Sequence, residues 1–182
     1  MYVENEIIKA GKFLSMVLRH QPEALNIELD ENGWTDVDIL LKNMVEKGWK
    51  IDRQMLDFIV TNNSKKRYSY NEAKDKIRAS QGHSVEVALG YEPKQPPEIL
   101  YHGTSERFVE AIKASGLLKM QRQHVHLSID IETAMTVGKR HGKPFVFGIL
   151  ANLMLKNSYE LFLSENGVWL TEYVPVEYLC PI

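Results

Sequence analysis

The segment "RQHVHLS" sets an arginine, two histidines and a serine at alternate positions, with Val125 and Leu127 between them. In a strand, alternate side chains share a face, so Arg122, His124, His126 and Ser128 project one way and the apolar pair the other. Two histidines at this spacing can meet on one zinc ion, but such a site takes three or four ligands. No Asp, Glu or Cys accompanies them, and Arg122 would repel a cation. At least one of the histidines reads as a hydrogen-bonding group at a strand end. For the row as a whole an anion is the better partner, since a guanidinium presents a planar fork matched to phosphate or carboxylate.

Two other segments offer the same chemistry. "LRH" brings Arg19 and His20 to a helix end, where cations complement the helix dipole or reach a phosphate. "QGHS" has Gly82, which lets backbone N–H groups approach an anion, with His83 and Ser84 as donors. Between Lys65 and Arg78 lie six basic residues against two acidic ones, a local balance of +4 in a chain of net charge -2. Lys66, Arg67 and Arg78 belong to this run, and Tyr68 and Tyr70 interleave with it, which suits contact with phosphates and bases. A solvated hairpin with edge lysines that discourage aggregation accounts for the same charge. Arg and His thus come from several segments with no paired carboxylates. That pattern suits recognition of a highly charged phosphate and not hydrolysis by a carboxylate pair.

The elements that must position these groups fall into two lobes. At 182 residues and 44% hydrophobic, the chain can bury one good core or two small ones. Three of its seven prolines fall in "YEPKQPPEIL", where neither helix nor central strand should cross. Residues 93–98 read as a semi-rigid linker between lobes spanning 1–92 and 99–182. A single cysteine excludes a disulfide framework and a thiolate cluster. With no long apolar run and no signal-peptide pattern at the N-terminus, a soluble cytoplasmic protein without membrane contact is expected.

The first lobe reads as three helices followed by a hairpin, the outline of a winged helix. "EIIKAGKFLSMVLRH" has Ile7, Gly11, Leu14 and Leu18 at helical spacing, with Arg19 and His20 at its end. "TDVDILLKNMVEKG" opens with Thr35 as N-cap and closes at Gly48, and "DRQMLDFIVTNN" buries Met55, Leu56, Ile59 and Val60. "KKRYSYNEAKDKIRA" forms two short strands around a polar turn. The second lobe mixes strands in "EILYHGT", "HVHLS" and "PFVFGIL" with helices in "SERFVEAIKASG" and "DIETAMTVGKRHG", the latter capped by Asp130 and Gly142. A final hairpin turns at Asn166-Gly167. The expected class is α+β.

"LYHGTS", residues 100–105, is similar to the His-Gly-Ser/Thr signature of ADP-ribosyltransferases. The ordered set "LSxVLRHxPE", "GW", "KKRY", "IRAxQGHS", "LYHGT" and "HVHLS" resembles the RNA 2′-phosphotransferases, the KptA family, from about residue 12 to about residue 175. The resemblance implies a winged-helix RNA lobe joined to a mixed α/β, ADP-ribosyltransferase-like NAD lobe. The family's essential Arg-His-Arg-Arg group would fall on Arg19, His20, Arg67 and Arg122, with Arg78 close enough in sequence to contest the second arginine. NAD contacts would fall on His102, Gly103, Thr104, Gly116, Leu117, His126, Leu127 and Ser128. Lys66, Arg78, Gly82, His83 and Ser84 would help hold the RNA.

The implied partners are NAD, as co-substrate, and RNA with an internal 2′-phosphate of the tRNA splice-junction type. No metal is implied. The 2′-phosphate would attack the anomeric carbon of the nicotinamide ribose and expel nicotinamide. The neighbouring 2″-hydroxyl would then attack phosphorus, leaving RNA with a 2′-hydroxyl and releasing ADP-ribose 1″,2″-cyclic phosphate. The nucleophile is already an anion, so the first step needs no general base, which fits the missing carboxylates. A nucleic-acid end ADP-ribosyltransferase, which stops after the first step, and a winged-helix module that only senses NAD remain as alternatives.

Overall fold

A computed structural model describes residues 3–180 and 182. The chain divides into two compact units, one ending at Gly90 and one beginning at Tyr91. Helices and small antiparallel sheets together make an α+β protein.

In the first unit, helix α1 (Glu4–Val17) buries Ala10, Leu14 and Val17. It stops short of the expected end. The N–H groups of His20 and Gln21 turn back to the carbonyl of Met16, and Arg19 and His20 lie in this turn. Pro22 gives the reason: it disfavours helical backbone at Gln21 and opens a 3₁₀ turn, Pro22–Leu25.

Strand β1 (Thr35–Asp36) leads into helix α2 (Val37–Glu46), and helix α3 (Arg53–Thr61) follows. Asp36, not Thr35, caps α2, its Oδ1 accepting from the N–H of Ile39 at 2.9 Å. Thr35 is buried instead, paired with Ile77. The carboxylate has the advantage here because its charge also meets the positive end of the helix. Asp52 caps α3 in the same way, through the N–H of Met55. Strands β2 (Tyr68–Tyr70) and β3 (Lys76–Ala79) complete a sheet of order β1-β3-β2. One apolar cluster joins Leu14 of α1, Leu18 just after it, Leu40 and Met44 of α2, Leu56 of α3 and Ile77 of β3.

The two hairpin tyrosines, Tyr68 buried and Tyr70 half-buried, point their hydroxyls at helices. Tyr68 is buried, and its hydroxyl donates to the carbonyl of Gly11 on α1. Tyr70 donates to Asp57 on α3 at 2.8 Å, with the Arg53 guanidinium over its ring. Both fasten the hairpin to helices, because a buried phenol must find an acceptor.

The second unit starts with strand β4 (Leu100–Ser105), helix α4 (Val109–Ser115) and strand β5 (Leu117–Leu118). Strand β6 (Val125–Leu127), helix α5 (Ile131–Gly138), strand β7 (Pro144–Ile149) and helix α6 (Ala151–Lys156) follow. Strands β8 (Phe162–Leu163), β9 (Trp169–Thr171), β10 (Tyr173–Val174) and β11 (Leu179–Cys180) close the unit. One sheet runs β11-β7-β4, another β6-β9-β8, and β5 pairs with β10, all antiparallel. The proline-rich stretch is tied to this unit: Lys94 N–H donates to Leu161 O at 2.8 Å and Pro93 bridges to Phe162. The β8–β9 turn places Gly167 at φ +80°, and Ser164 closes the loop through Val168.

Helix α5 lies directly on β4. A Cβ at Gly103 would overlap the carbonyl of Ala134, and one at Gly138 would come within 2.6 Å of the Thr104 carbonyl. One glycine on each element, Gly103 against Ala134 and Gly138 against Thr104, thus brings helix and strand backbones together.

Candidate functional site

In the first unit, the cationic motifs that lie far apart in sequence converge. Ser84 and Val85 donate their N–H groups to the carbonyl of Arg19, which fastens "QGHS" beside "LRH". The His20 ring then meets Ser84, Nδ1 to Oγ at 2.9 Å. Arg67 and Arg78 approach from the hairpin. Tyr68 pairs with Ala79 and Ser69 with Arg78, and Ser80 N–H donates to Arg67 O. Strand alternation therefore puts Arg67 and Arg78 together on the face opposite Tyr68. Their settings differ. Arg67 is half-buried and donates to Asn63 Oδ1 at 3.1 Å. Arg78 stacks on Trp34, guanidinium carbon to ring centre 4.4 Å, and leans toward the Asn32 carbonyl.

Beneath them sits His83, with 1% of its surface exposed. Neither ring nitrogen has a hydrogen-bond partner among the described residues. Burial, followed by the positive charges of Arg19, His20 and Arg78, pushes its pKa down to about 4, so the ring is neutral at pH 7. All three charged groups that shift it are cations. The ring of His83 is thus enclosed, and Ser84, next in the chain, is exposed. Arg19 and Arg67 also converge on the Tyr68 hydroxyl: burial raises its pKa, and Ser15 and the two arginines pull it back.

The second unit builds its site from backbone. Tyr101 and Ser128 exchange both main-chain hydrogen bonds, at 2.9 and 2.7 Å, in a single bridge between β4 and β6. Tyr101 thus turns its N–H and C=O away from β7. Two residues on, Gly103 must point the same way, toward the gap where β4 and β6 part. The ring of His102 spans that gap, with Nδ1 3.0 Å from the carbonyl of His126. Burial, and then the charge of Arg122, hold the His102 pKa below its ordinary value, although the His126 carbonyl pulls it up. A neutral ring donating from Nδ1 follows.

The polar row divides on inspection. Val125 and Leu127 enter the core as the alternation requires, and His126 and Ser128 take the other face. Arg122, however, precedes the strand in a turn, its N–H donating to Lys119 O. His124 packs edge-on against Tyr91 and Phe162, with centroids at 6.4 and 5.8 Å. It is the structural member of the row. Thr104 is buried, and Leu117 and Leu127 place their side chains in the core. Gly116, at φ +74°, has no room for a Cβ beside the carbonyl of Val174. Among the described residues no group of three or more His, Cys, Asp or Glu is placed to hold a metal ion. No helix is long and apolar enough to cross a membrane.

The model of the family described as RNA 2′-phosphotransferase, Tpt1 / KptA family, matches residues 5–173. The chain belongs to this family. Curated proteins named "Probable RNA 2′-phosphotransferase" are similar over nearly their whole length. The one from Flavobacterium johnsoniae is 51% identical over 176 residues, covering 97% of each chain. The one from Fusobacterium nucleatum is 51% identical over 173 residues, 94% of this chain and 97% of its own. That from Trichormus variabilis is 53% identical over 172 residues, 94% of each. Sequence reading missed Trp34, Asn63 and Gly138, whose importance lies only in what they touch. Only the "GW" motif hinted at Trp34.

Proposed function

We propose that this protein is an NAD-dependent RNA 2′-phosphotransferase. It takes an internal 2′-phosphate, of the kind left at a tRNA splice junction, transfers it through an ADP-ribosylated RNA intermediate, and leaves a 2′-hydroxyl. The first unit is the winged-helix-like RNA lobe and the second the ADP-ribosyltransferase-like NAD lobe. The observation that carries the reading is the convergence of Arg19, His20 and Arg78 around the enclosed His83, with Arg67 on the same hairpin face as Arg78, within a chain of this family. Fixed guanidinium groups hold phosphoryl oxygens and need no reorganisation as charge moves on phosphorus.

Each residue has a task within the proposal. Arg67 and Arg122 stabilise the phosphoryl oxygens as the ribose 2″-hydroxyl attacks phosphorus. His20, its ring fixed by Ser84, exchanges the proton of that hydroxyl or of the departing RNA 2′-oxygen. Arg19 neutralises the incoming phosphate. Arg78, Lys66 and the Gly82–Ser84 turn hold the RNA backbone. In the second unit, Gly103 offers N–H and C=O to the carboxamide of nicotinamide, and the neutral His102 and Ser128 reach ribose hydroxyls. Arg67 fits the second arginine position better than Arg78, whose guanidinium is engaged by Trp34.

The test is an incubation of NAD with RNA carrying one internal 2′-phosphate, with products identified by mass. Nicotinamide, ADP-ribose 1″,2″-cyclic phosphate and RNA with a 2′-hydroxyl are expected in equal amounts. ADP-ribose retained on the RNA would instead mark an end-modifying transferase. Binding of NAD without release of nicotinamide would mark a sensor.

A further inference from the structure

Two arginines of the first unit are each held by a side chain four residues away, one by a carboxylate and one by an amide. Arg53 donates from Nε to Asp57 Oδ1 at 3.2 Å and from Nη2 to the Lys74 carbonyl at 2.7 Å. Its charge is met within the protein, and it fastens α3 to the hairpin turn. Arg67 donates from Nη1 to Asn63 Oδ1 at 3.1 Å. Among the described residues this is the one hydrogen bond of its guanidinium, and no carboxylate pairs with it.

The turn that carries Asn63 is built to present that oxygen. Asn63 Oδ1 also accepts the N–H of Lys65 at 3.1 Å, and the Asn63 carbonyl accepts the N–H of Lys66 at 2.8 Å. Two N–H donors converge on one side-chain atom, so that atom is the amide oxygen and not the nitrogen. Lys66 sits in the left-handed region at φ +40°, a conformation that persists only where its surroundings fix it. The buried Ser80, just after β3, does so. Its Oγ donates to Lys66 O at 2.8 Å and its N–H to Arg67 O at 2.9 Å. Main chain and side chain of Arg67 are therefore anchored separately, the first by Ser80 and the second by Asn63.

We infer that Asn63 is a positioning residue for Arg67, aiming its guanidinium while leaving the charge and four of the five N–H donors for the phosphoryl group. The inference rests on the phosphoryl role proposed for Arg67. An amide oxygen suits the task because it accepts a hydrogen bond and carries no charge. A carboxylate in its place would grip the fork more strongly and compete with the incoming phosphate for it. Fixing the fork beforehand also removes the cost of immobilising a long side chain when the ligand binds. The two pairs thus divide by purpose: the arginine that only builds the fold has a carboxylate, and the arginine that must meet an anion has an amide.

A role in building the turn and a role in aiming Arg67 rank substitutions at this position in opposite order. Aspartate matches asparagine in shape and keeps the acceptor for Lys65, so a residue that only shapes the turn tolerates it best. If Asn63 aims Arg67, aspartate is the most harmful to turnover. The test compares Asn63→Asp and Asn63→Ser, each alone and combined with Arg67→Ala, by turnover of NAD and 2′-phosphorylated RNA and by thermal unfolding. Asn63→Asp should keep the wild-type unfolding midpoint and lower kcat on the order of 10-fold or more, with the KM for NAD unchanged. Asn63→Ser, which keeps a neutral acceptor, should unfold earlier yet lose less activity. Combined with Arg67→Ala, Asn63→Asp should cost nothing further, because the two residues act as a unit. Wild-type kcat in Asn63→Asp would overturn the inference, as would an equal fold-loss with and without Arg67. Near-normal turnover in Arg67→Ala alone would instead remove the phosphoryl role, and the inference with it.

Discussion

The two units assemble their candidate sites by opposite means. In the first, charge is gathered from four segments by side chains, around a histidine that burial keeps neutral. In the second, the candidate site is mainly main chain, where β4 and β6 separate beyond the Tyr101–Ser128 bridge, held in place by glycines that admit a helix. The difference predicts how each will fail. A side-chain cluster loses function when one charge is removed but keeps its fold. A backbone site cannot be edited without moving the strand that forms it.

The largest expected effect tests the backbone site. Gly103→Ala pushes a methyl into the carbonyl of Ala134, and neither backbone can yield cheaply. We expect a loss of at least about 3 kcal/mol of stability, read from denaturant unfolding. A fully stable Gly103→Ala protein would mean that α5 can lift from β4 and that the site is not rigid.

Next come the two arginines proposed to act on the phosphoryl group. Arg67→Ala and Arg122→Ala should each slow turnover by about 10²-fold or more with an unchanged fold. Lysine should restore only part, because a point charge does not reproduce a planar fork. Transfer of nicotinamide's ribose needs a good leaving group, whereas the second step moves charge on phosphorus. At least one alanine variant should therefore accumulate ADP-ribosylated RNA, detectable by gel shift. Near-normal turnover in both would remove these residues from the site.

His83 gives a pH signature. Its folded pKa, about 4, lies below the value of about 6.5 in an unfolded chain. Between these values the unfolded state binds the extra proton, so stability rises with pH across this window and falls on acidification. The stabilisation is complete above pH 6.5 and amounts to roughly 3 kcal/mol lost by pH 4. A His83→Leu variant should lose this slope, which unfolding series at pH 7 and pH 4.5 would reveal. An unchanged slope would place the titration elsewhere.

A smaller effect concerns Trp34. Without the ring that stacks on it, Arg78 gains freedom and phosphate contact weakens by about 1 kcal/mol. Trp34→Ala should raise the KM for RNA several-fold while leaving NAD affinity unchanged, and Trp34→Phe should recover most of the loss. An equal rise for both substrates would make Trp34 a general packing residue. The smallest effect expected is none: a chelator should leave turnover intact, because arginines do the neutralising. Activity lost in chelator and restored by zinc or magnesium would reverse the anion reading of the histidine row.

Much of this was legible in one dimension. Helical spacing marked α1, α2 and α3, although the cap of α2 fell on Asp36 and not Thr35, and the alternation in "HVHLS" sent Val125 and Leu127 inward. The proline cluster lies just after Gly90, where the units divide. The ordered motifs identified the family, because residue types at fixed separations survive in any reading of a sequence. What the sequence could not decide were contacts made across the chain. It did not reveal that Ser84 lies against Arg19, that His83 is enclosed, or that Tyr68 and Tyr70 are fastened to helices. Nor did it separate His124, held between rings, from His126 in the same row. Local propensities act over a few residues, whereas these contacts join positions many residues apart, and only the packing of both units fixes which polar groups are buried and which are left for a ligand.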